Sequence, residues 1–508
     1  MTQNQLGNKQ TAPGVEDRRW LALAVLMLPV LLVSVDNTVL AFALPEISEQ
    51  LRPTGTQLLW IVDAYPLVLA GLLVSMGSLG DRIGRRRLLL IGSTGFTITS
   101  ALAAFMPDAT MLIAARALMG FFGAMLMPST LSLIRNIFTE ATERRTAIAI
   151  WAAGFSGGAA LGPIVGGFLL EYFYWGSIFL MAIPVMLPLL FLGPLLIPES
   201  RDPNPGPVDP ISILLVLGTM TPLVYGIKKL AAEGVSVLPI SAVIFSLILG
   251  ITFVRRQLSR DNPMLDVRLF KQPVFSGAVG ANLLSVFSLV GFLYFVSQHL
   301  QLVSGHSPLM AGLMLVPGLL VTVVAGLLVV KLAQHLQPAV IITGGLLLNV
   351  VGYTLIAFTG QQGSDLGLII AFMILGAGIG AAETISNDLI LSSVPAEKAG
   401  SASAISETAY ETGAVLGTAV LGSILNLAYR SNLQTPEGLP ADLAESAGET
   451  LGNASQIASE IGGATGASLL ESAQHAFDSG VVITSLIGAL LMTAAAVMAW
   501  FTLRERAR

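Results

Sequence analysis

Long apolar runs of about 20 residues follow one another along this chain, separated by short polar breaks. A run of about 20 residues is what an α-helix needs to cross the hydrocarbon core of a bilayer. Fourteen are readable, near residues 19–44, 57–79, 88–106, 111–136, 145–170, 176–198, 209–227, 236–256, 272–297, 307–331, 338–358, 366–391, 400–426 and 480–503. The polar breaks then sort by charge. With the amino terminus in the cytoplasm, most of the 26 Lys and Arg residues fall on the cytoplasmic side, and the outer breaks hold only Arg52, Lys228, Lys229 and Arg430. That is the distribution the positive-inside rule expects, with both termini cytoplasmic.

Composition strengthens this reading. Of 508 residues, 54% are hydrophobic and 11% charged, whereas a soluble domain carries roughly 25% charged residues. The fold class expected is an all-α, multi-pass integral membrane protein. Its layout reads as a tail (1–18), a six-helix half (19–198), a linker with two inserted helices (199–271), a second six-helix half (272–503) and a tail (504–508). The inserted spans carry almost no buried polar group. The outer segment 431–479 is acidic and lacks Lys and Arg, and apolar residues at helical spacing (Leu443, Ala447, Leu451; Leu470, Ala473, Phe477) predict a short helical hairpin within it. Two halves around a midplane cavity is a transporter architecture.

The absence of cysteine excludes thiol catalysis, disulfides and Fe–S clusters. No phosphate-binding loop, HExxH or nucleophile elbow is present, so neither an ATP-driven pump nor a hydrolytic enzyme is readable. No metal or organic cofactor is expected.

Ionisable residues inside spans are costly, so each is a functional candidate. Asp36, in the first span, is suited to binding and releasing a proton, or else to locking Thr38 and the helix end. Asp63, flanked by Trp60 and Tyr65, can hold a hydrophobic cation by charge and ring faces, or sit in an interfacial aromatic belt. Arg116 is a lone cation in a span and needs an anionic or carbonyl partner, with Asp36 the candidate. Glu407 and Glu411 are four apart, share a helix face beside Tyr410 and cannot easily both ionise, which suits them to proton coupling or substrate charge. The alternative for that pair is packing near the cytoplasmic end. Glu383 and Asp388 are weaker candidates.

Two glycine-rich stretches complete the pattern. The loop GSLGDRIGRRR holds Gly77, Asp81, Arg82, Gly84 and Arg85. There Asp81 can accept from a helix amino end or pair with an arginine, and the cluster can latch one half to the other. The segment WAAGFSGGAALGPIVGG holds Gly158, Gly162, Pro163, Gly166 and Gly167, residues that let membrane helices approach closely.

GSLGDRIGRRR resembles the cytoplasmic loop signature of the major facilitator superfamily. ARALMGFFGA around Arg116 resembles its span-4 motif, Gly158 to Gly167 its antiporter motif, and VDNTVLAFALP around Asp36 the span-1 motif of its fourteen-helix drug:proton antiporters. The likeness is strongest to quaternary-ammonium efflux pumps and to mycobacterial exporters of ethidium and fluoroquinolones, in MPSTLSLIRNIF and PESRDPNPGP. This resemblance implies a functional monomer that exports lipophilic cations against protons by alternating access, with membrane lipids around it and no nucleic-acid partner. The family's acids carry over to Asp36, Asp63, Glu407 and Glu411. Where some relatives have a span-10 acid for dications, Thr322 stands here, so monovalent cations are expected to be handled better. Export of an endogenous lipid or metabolite, with drugs carried incidentally, is the alternative.

Overall fold

The computed structural model describes residues 13–201, 209–261, 263–359, 365–394 and 399–504. The outer parts of both expected tails and most of the Pro-rich linker (202–208) lie outside the described residues. Every element among the described residues is helical. The first group is α1 (Pro13–Leu51), α2 (Gly55–Ile83), α3 (Arg85–Ala103), α4 (Ala109–Gly123), α5 (Leu126–Ile137), α6 (Ala141–Tyr172), α7 (Ser177–Leu180) and α8 (Ala182–Leu196). A hairpin of α9 (Pro210–Glu233) and α10 (Val237–Ser259) follows. The second group is α11 (Pro273–Gln298), α12 (Pro308–Leu332), α13 (Pro338–Thr359), α14 (Asp365–Ser392), α15 (Ala399–Gly417), α16 (Ser423–Asn432), α17 (Ala441–Ala447), α18 (Leu451–Ile461) and α19 (Gly463–Arg504).

Thirteen helices among the described residues are long and apolar enough to cross a membrane. The expected span near 88–106 forms α3, which is helical over 19 residues. Its three leading arginines and its Ser and Thr residues dilute its apolar character, so fourteen is an approximate count. The expected span 111–136 is divided into α4 and α5 by a turn at Ala124 and Met125. The span at 400–426 continues from α15 through a π-helical turn, Thr418–Gly422, into α16.

Within the first group α1 lies along α6, and α2 along α4; in the second, α14 packs on both α12 and α13, and α13 on α19. The groups meet where α12 packs on α6, α15 on α2 and α11 on α1. The α9–α10 hairpin sits on the flank, with α9 leaning on α2, on α16 and on the π-turn.

In the acidic segment 431–479, α17 and α18 form as separate short helices, but the second arm of the expected hairpin is not a separate element. Leu469, Ala473 and Phe477 are buried on α19, which runs unbroken for 42 residues into the last span. This cap is tied to the first group. Ser48 and Thr450 share a hydroxyl–hydroxyl bond of 2.6 Å, and the Gly55 amide donates to Glu449 at 2.8 Å. On this capped face the groups also meet directly, where Ser297 donates to the Ala41 carbonyl at 2.6 Å and Gln301 to that of Phe42 at 3.1 Å.

Candidate transport site

At the centre, Arg116 on α4 meets Asp36 on α1. The Arg116 guanidinium donates to Asp36 Oδ2 at 2.7 Å and to the Ile61 carbonyl at 3.2 Å. Its Cζ stands 4.7 Å from the centre of the Tyr65 ring. Both charged groups are almost wholly buried. A buried ion pair is kept only where geometry is good and further hydrogen bonds or ring contacts satisfy it; the Ile61 carbonyl and Tyr65 do this here. Gly120, one turn after Arg116, leaves room for the Tyr65 backbone to come in.

Asp36, Arg116 and Tyr410 line a cavity of about 40 Å³ between the two groups, together with Thr418 and Tyr294. It has room for a few waters and not for a drug-sized molecule. Glu411 on α15 is buried and faces Asn37 and Asp36 from the opposite side. Asp36 and Asn37 line this void, and Glu411 of the other half reaches Asn37.

A larger cavity of about 400 Å³ lies on the face that carries the basic loops. Asp81, Arg85, Arg135, Trp151 and Glu407 are among its lining residues. That volume is in the range of small-molecule sites. Glu407 lines this cavity, whereas Glu411, one helical turn on, turns to Asn37. An aromatic row joins them: Trp151 stacks with Phe155 at 6.4 Å, and Phe155 meets the Tyr410 ring edge-on at 5.7 Å. Glu383 on α14 lies beside Glu407, while Asp388 is exposed. Thr322 donates to its own helix at Gly318, 2.9 Å away, and faces Gly376 of α14.

Asp63 lines neither of these cavities. It is fully buried, 2.7 Å from the Lys228 ammonium, itself fully buried, and that ammonium stands 4.0 Å from the centre of the Trp60 ring. Lys228 is not in an outer break, where its charge first placed it. Helix α9 continues past residue 227 to Glu233 and carries it inward. The inserted hairpin is also less apolar inside than expected, because Asp209, Ser212, Ser246 and Gln257 are buried along with Lys228. A lysine pair at the end of an apolar run reads as a helix boundary, and nothing local reveals that Lys228 meets a buried carboxylate.

In the GSLGDRIGRRR loop, Asp81 accepts from Arg85 Nε at 2.8 Å. The amino end of α3 is capped by Glu199, not Asp81. The carboxylate accepts from the Arg86 amide at 3.0 Å and the Arg87 amide at 3.3 Å, as anions do at helix amino ends. Gly84 makes the turn with φ 112°, and any side chain there would strike the Glu199 carboxyl. These bonds stay within the first group; Gly77 lines the large cavity, and Arg82 lies at the end of α2.

The glycine segment of α6 presses on two helices. Gly158, Gly162 and Gly166 face Ser34, Thr38 and Val39 of α1. Gly167 faces the backbone of Pro308 and Leu309 on α12, and Gly312 returns the contact at the Pro163 carbonyl. The stretch is thus a seam within one half and, at Pro163 and Gly167, a seam between halves on the capped face.

Two helical groups, a charged void between them, closure on one face and a cavity on the other define a membrane transporter. The sequence profile of the Major Facilitator Superfamily matches residues 26–418, and the chain belongs to that family. Among its relatives, "Multidrug efflux pump LfrA" of Mycolicibacterium smegmatis is 55% identical over 96% of this chain and 97% of its own length. "Methyl viologen resistance protein SmvA" of Salmonella typhimurium is 37% identical over 97% and 99%. A bacterial homologue of the human lysosomal transporter Spinster, solved inward-facing and unoccupied, superposes with TM-score 0.64 over 97% of this chain and 98% of that one, at 17% identity. The chain is a multi-pass membrane protein of the superfamily's drug-efflux branch.

Proposed function

We propose that the protein is a proton-coupled antiporter of a bacterial cytoplasmic membrane. It exports lipophilic organic cations such as ethidium, quaternary ammonium compounds and fluoroquinolones by alternating access. The observation that carries this reading is the buried Asp36–Arg116 pair in the wall of a central void, with Glu411 facing it from the other half. A carboxylate in such a site holds either a proton or a cationic partner, and it exchanges one for the other when the void changes side. A cation enters the large cavity from the basic face, meets Glu407 beside Trp151, and passes along Phe155 and Tyr410 to the centre. Protonation from the other face then releases it. The membrane potential adds about 2.3 kcal/mol per net charge per 100 mV.

The supporting names are those of relatives: one is called a multidrug efflux pump, another a methyl viologen resistance protein. Proton release on substrate binding tests the reading. Adding ethidium to purified protein in weak buffer should release protons from wild type. Glu411→Gln and Asp36→Asn should each release fewer. Ethidium binding with no proton release in wild type would remove the coupling step.

A further inference from the structure

The charge-and-ring arrangement that would hold an organic cation at Asp63 and Trp60 is already filled by the chain's own ammonium. Lys228 reaches in from the inserted hairpin, 2.7 Å from Asp63 Oδ2 and 4.0 Å from the Trp60 ring centre. Trp60, which the ammonium meets, also packs on an apolar cluster of Leu67 on α2, Val224 and Ile227 on α9, and Val415 on α15. Thr418 and Tyr294 face Asp63 and also line the central cavity. Asp63 therefore stands one side chain behind the wall of the space where Asp36 is. On the other side Lys228 borders a small void with Arg430 and Asn426 under the acidic cap.

We infer that Lys228 is a specificity-determining residue, a tethered cation that occupies Asp63 and withholds a second anionic position from substrates. This rests on the cation-export reading above. With Lys228 in place, the space beside Asp36 offers charge for one positive centre. Without it, Asp63 becomes an unmatched carboxylate one side chain away, backed by an indole face, and a second positive centre has a partner. The inserted helices thereby set the charge class of the cargo from outside the two six-helix halves. The inference concerns α9, and does not depend on an acid in α12 at Thr322.

The test is equilibrium binding to the purified full-length protein at one pH. Ethidium carries one charge and methyl viologen two. Lys228→Met should raise the affinity for methyl viologen relative to ethidium by about tenfold, the scale of a modest desolvated charge pair. Adding Asp63→Asn should return the ratio to that of wild type. An unchanged ratio in Lys228→Met, or a rise that survives Asp63→Asn, overturns the inference. Should Lys228→Met not be recovered folded, Asp63→Asn leaves the ammonium unmatched beside the cavity. Ethidium binding should then weaken by about threefold and recover in Asp63→Asn/Lys228→Met; equal affinity in those two variants overturns the inference. Wild-type ethidium binding judges the export reading separately, so the two can fail independently.

Discussion

Replacing Gly167 by alanine puts a methyl group against the backbone of the other half. A Cβ at Gly167 would stand 2.7 Å from the Pro308 carbonyl oxygen and 2.8 Å from Leu309 Cα. Backbone cannot turn aside as a flexible side chain can, so α6 and α12 must separate on the capped face. Forcing one methyl into a packed contact costs about 1–3 kcal/mol. That cost falls only on the state closed at this face, so the balance between states moves by roughly 5-fold to 150-fold toward opening there. The chain has no cysteine, so a Thr139→Cys, Gln334→Cys pair can carry spin labels without background. Both sites are exposed, near the basic-face ends of α5 and α12. Distances measured by pulsed electron resonance should show a shorter population growing in Gly167→Ala as that face closes. Gly157→Ala is the control, because nothing lies within 4 Å of its Cβ position. Identical distance distributions in Gly167→Ala and wild type would refute the seam as a closure contact.

Three further outcomes follow from the same geometry. Asp36→Asn leaves Arg116 buried without its anion and should lower stability by about 3–5 kcal/mol, with Asp36→Asn/Arg116→Met recovering part of it in detergent denaturation; an unaltered midpoint in the single variant contradicts the buried-pair assignment. Glu199→Ala uncaps α3 and should cost about 1 kcal/mol, read as faster amide exchange at Arg86 and Arg87. Arg256, bonded to Asp209 at 2.9 Å, holds that carboxyl well below the usual range, so the stabilisation is present above the unfolded value of about 3.9 and is lost as pH falls through the folded value. The stability deficit of Arg256→Gln should accordingly be constant from about pH 5 to 8 and shrink only in stronger acid; a deficit that instead grows on acidification would show the sign to be wrong.

Much of the architecture was legible because it rests on regularities that need no partner. Apolar run length and the sorting of Arg and Lys marked out the spans. Arg116 announced a need for an anion because a lone buried cation is intolerable, and Asp36 was the candidate that the structure places beside it. Contacts across distant sequence were hidden. Glu199 caps a helix more than 100 residues away, and a glutamate in a linker carries no sign of that. Lys228 was hidden more deeply. The stretch GIKKLAAEG closes an apolar run just as a surface boundary would, and only the lean of α9 on α2 turns Lys228 toward Asp63. The inner part of the acidic cap was misread as a hairpin arm because helical spacing alone does not show that one helix runs straight into the next. That Glu407 lines the basic-face cavity while Glu411 turns to Asn37 also follows from packing, since their spacing shows only a shared face.

The most direct test of proton-coupled cation export is ethidium transport by the reconstituted protein under an imposed pH gradient, comparing wild type with Asp36→Asn. Wild type should move the dye against the direction of proton flow and stop when the gradient is collapsed. Asp36→Asn should bind ethidium yet fail to respond to the gradient. Transport that ignores the proton gradient in wild type, or that persists under gradient control in Asp36→Asn, would contradict the account.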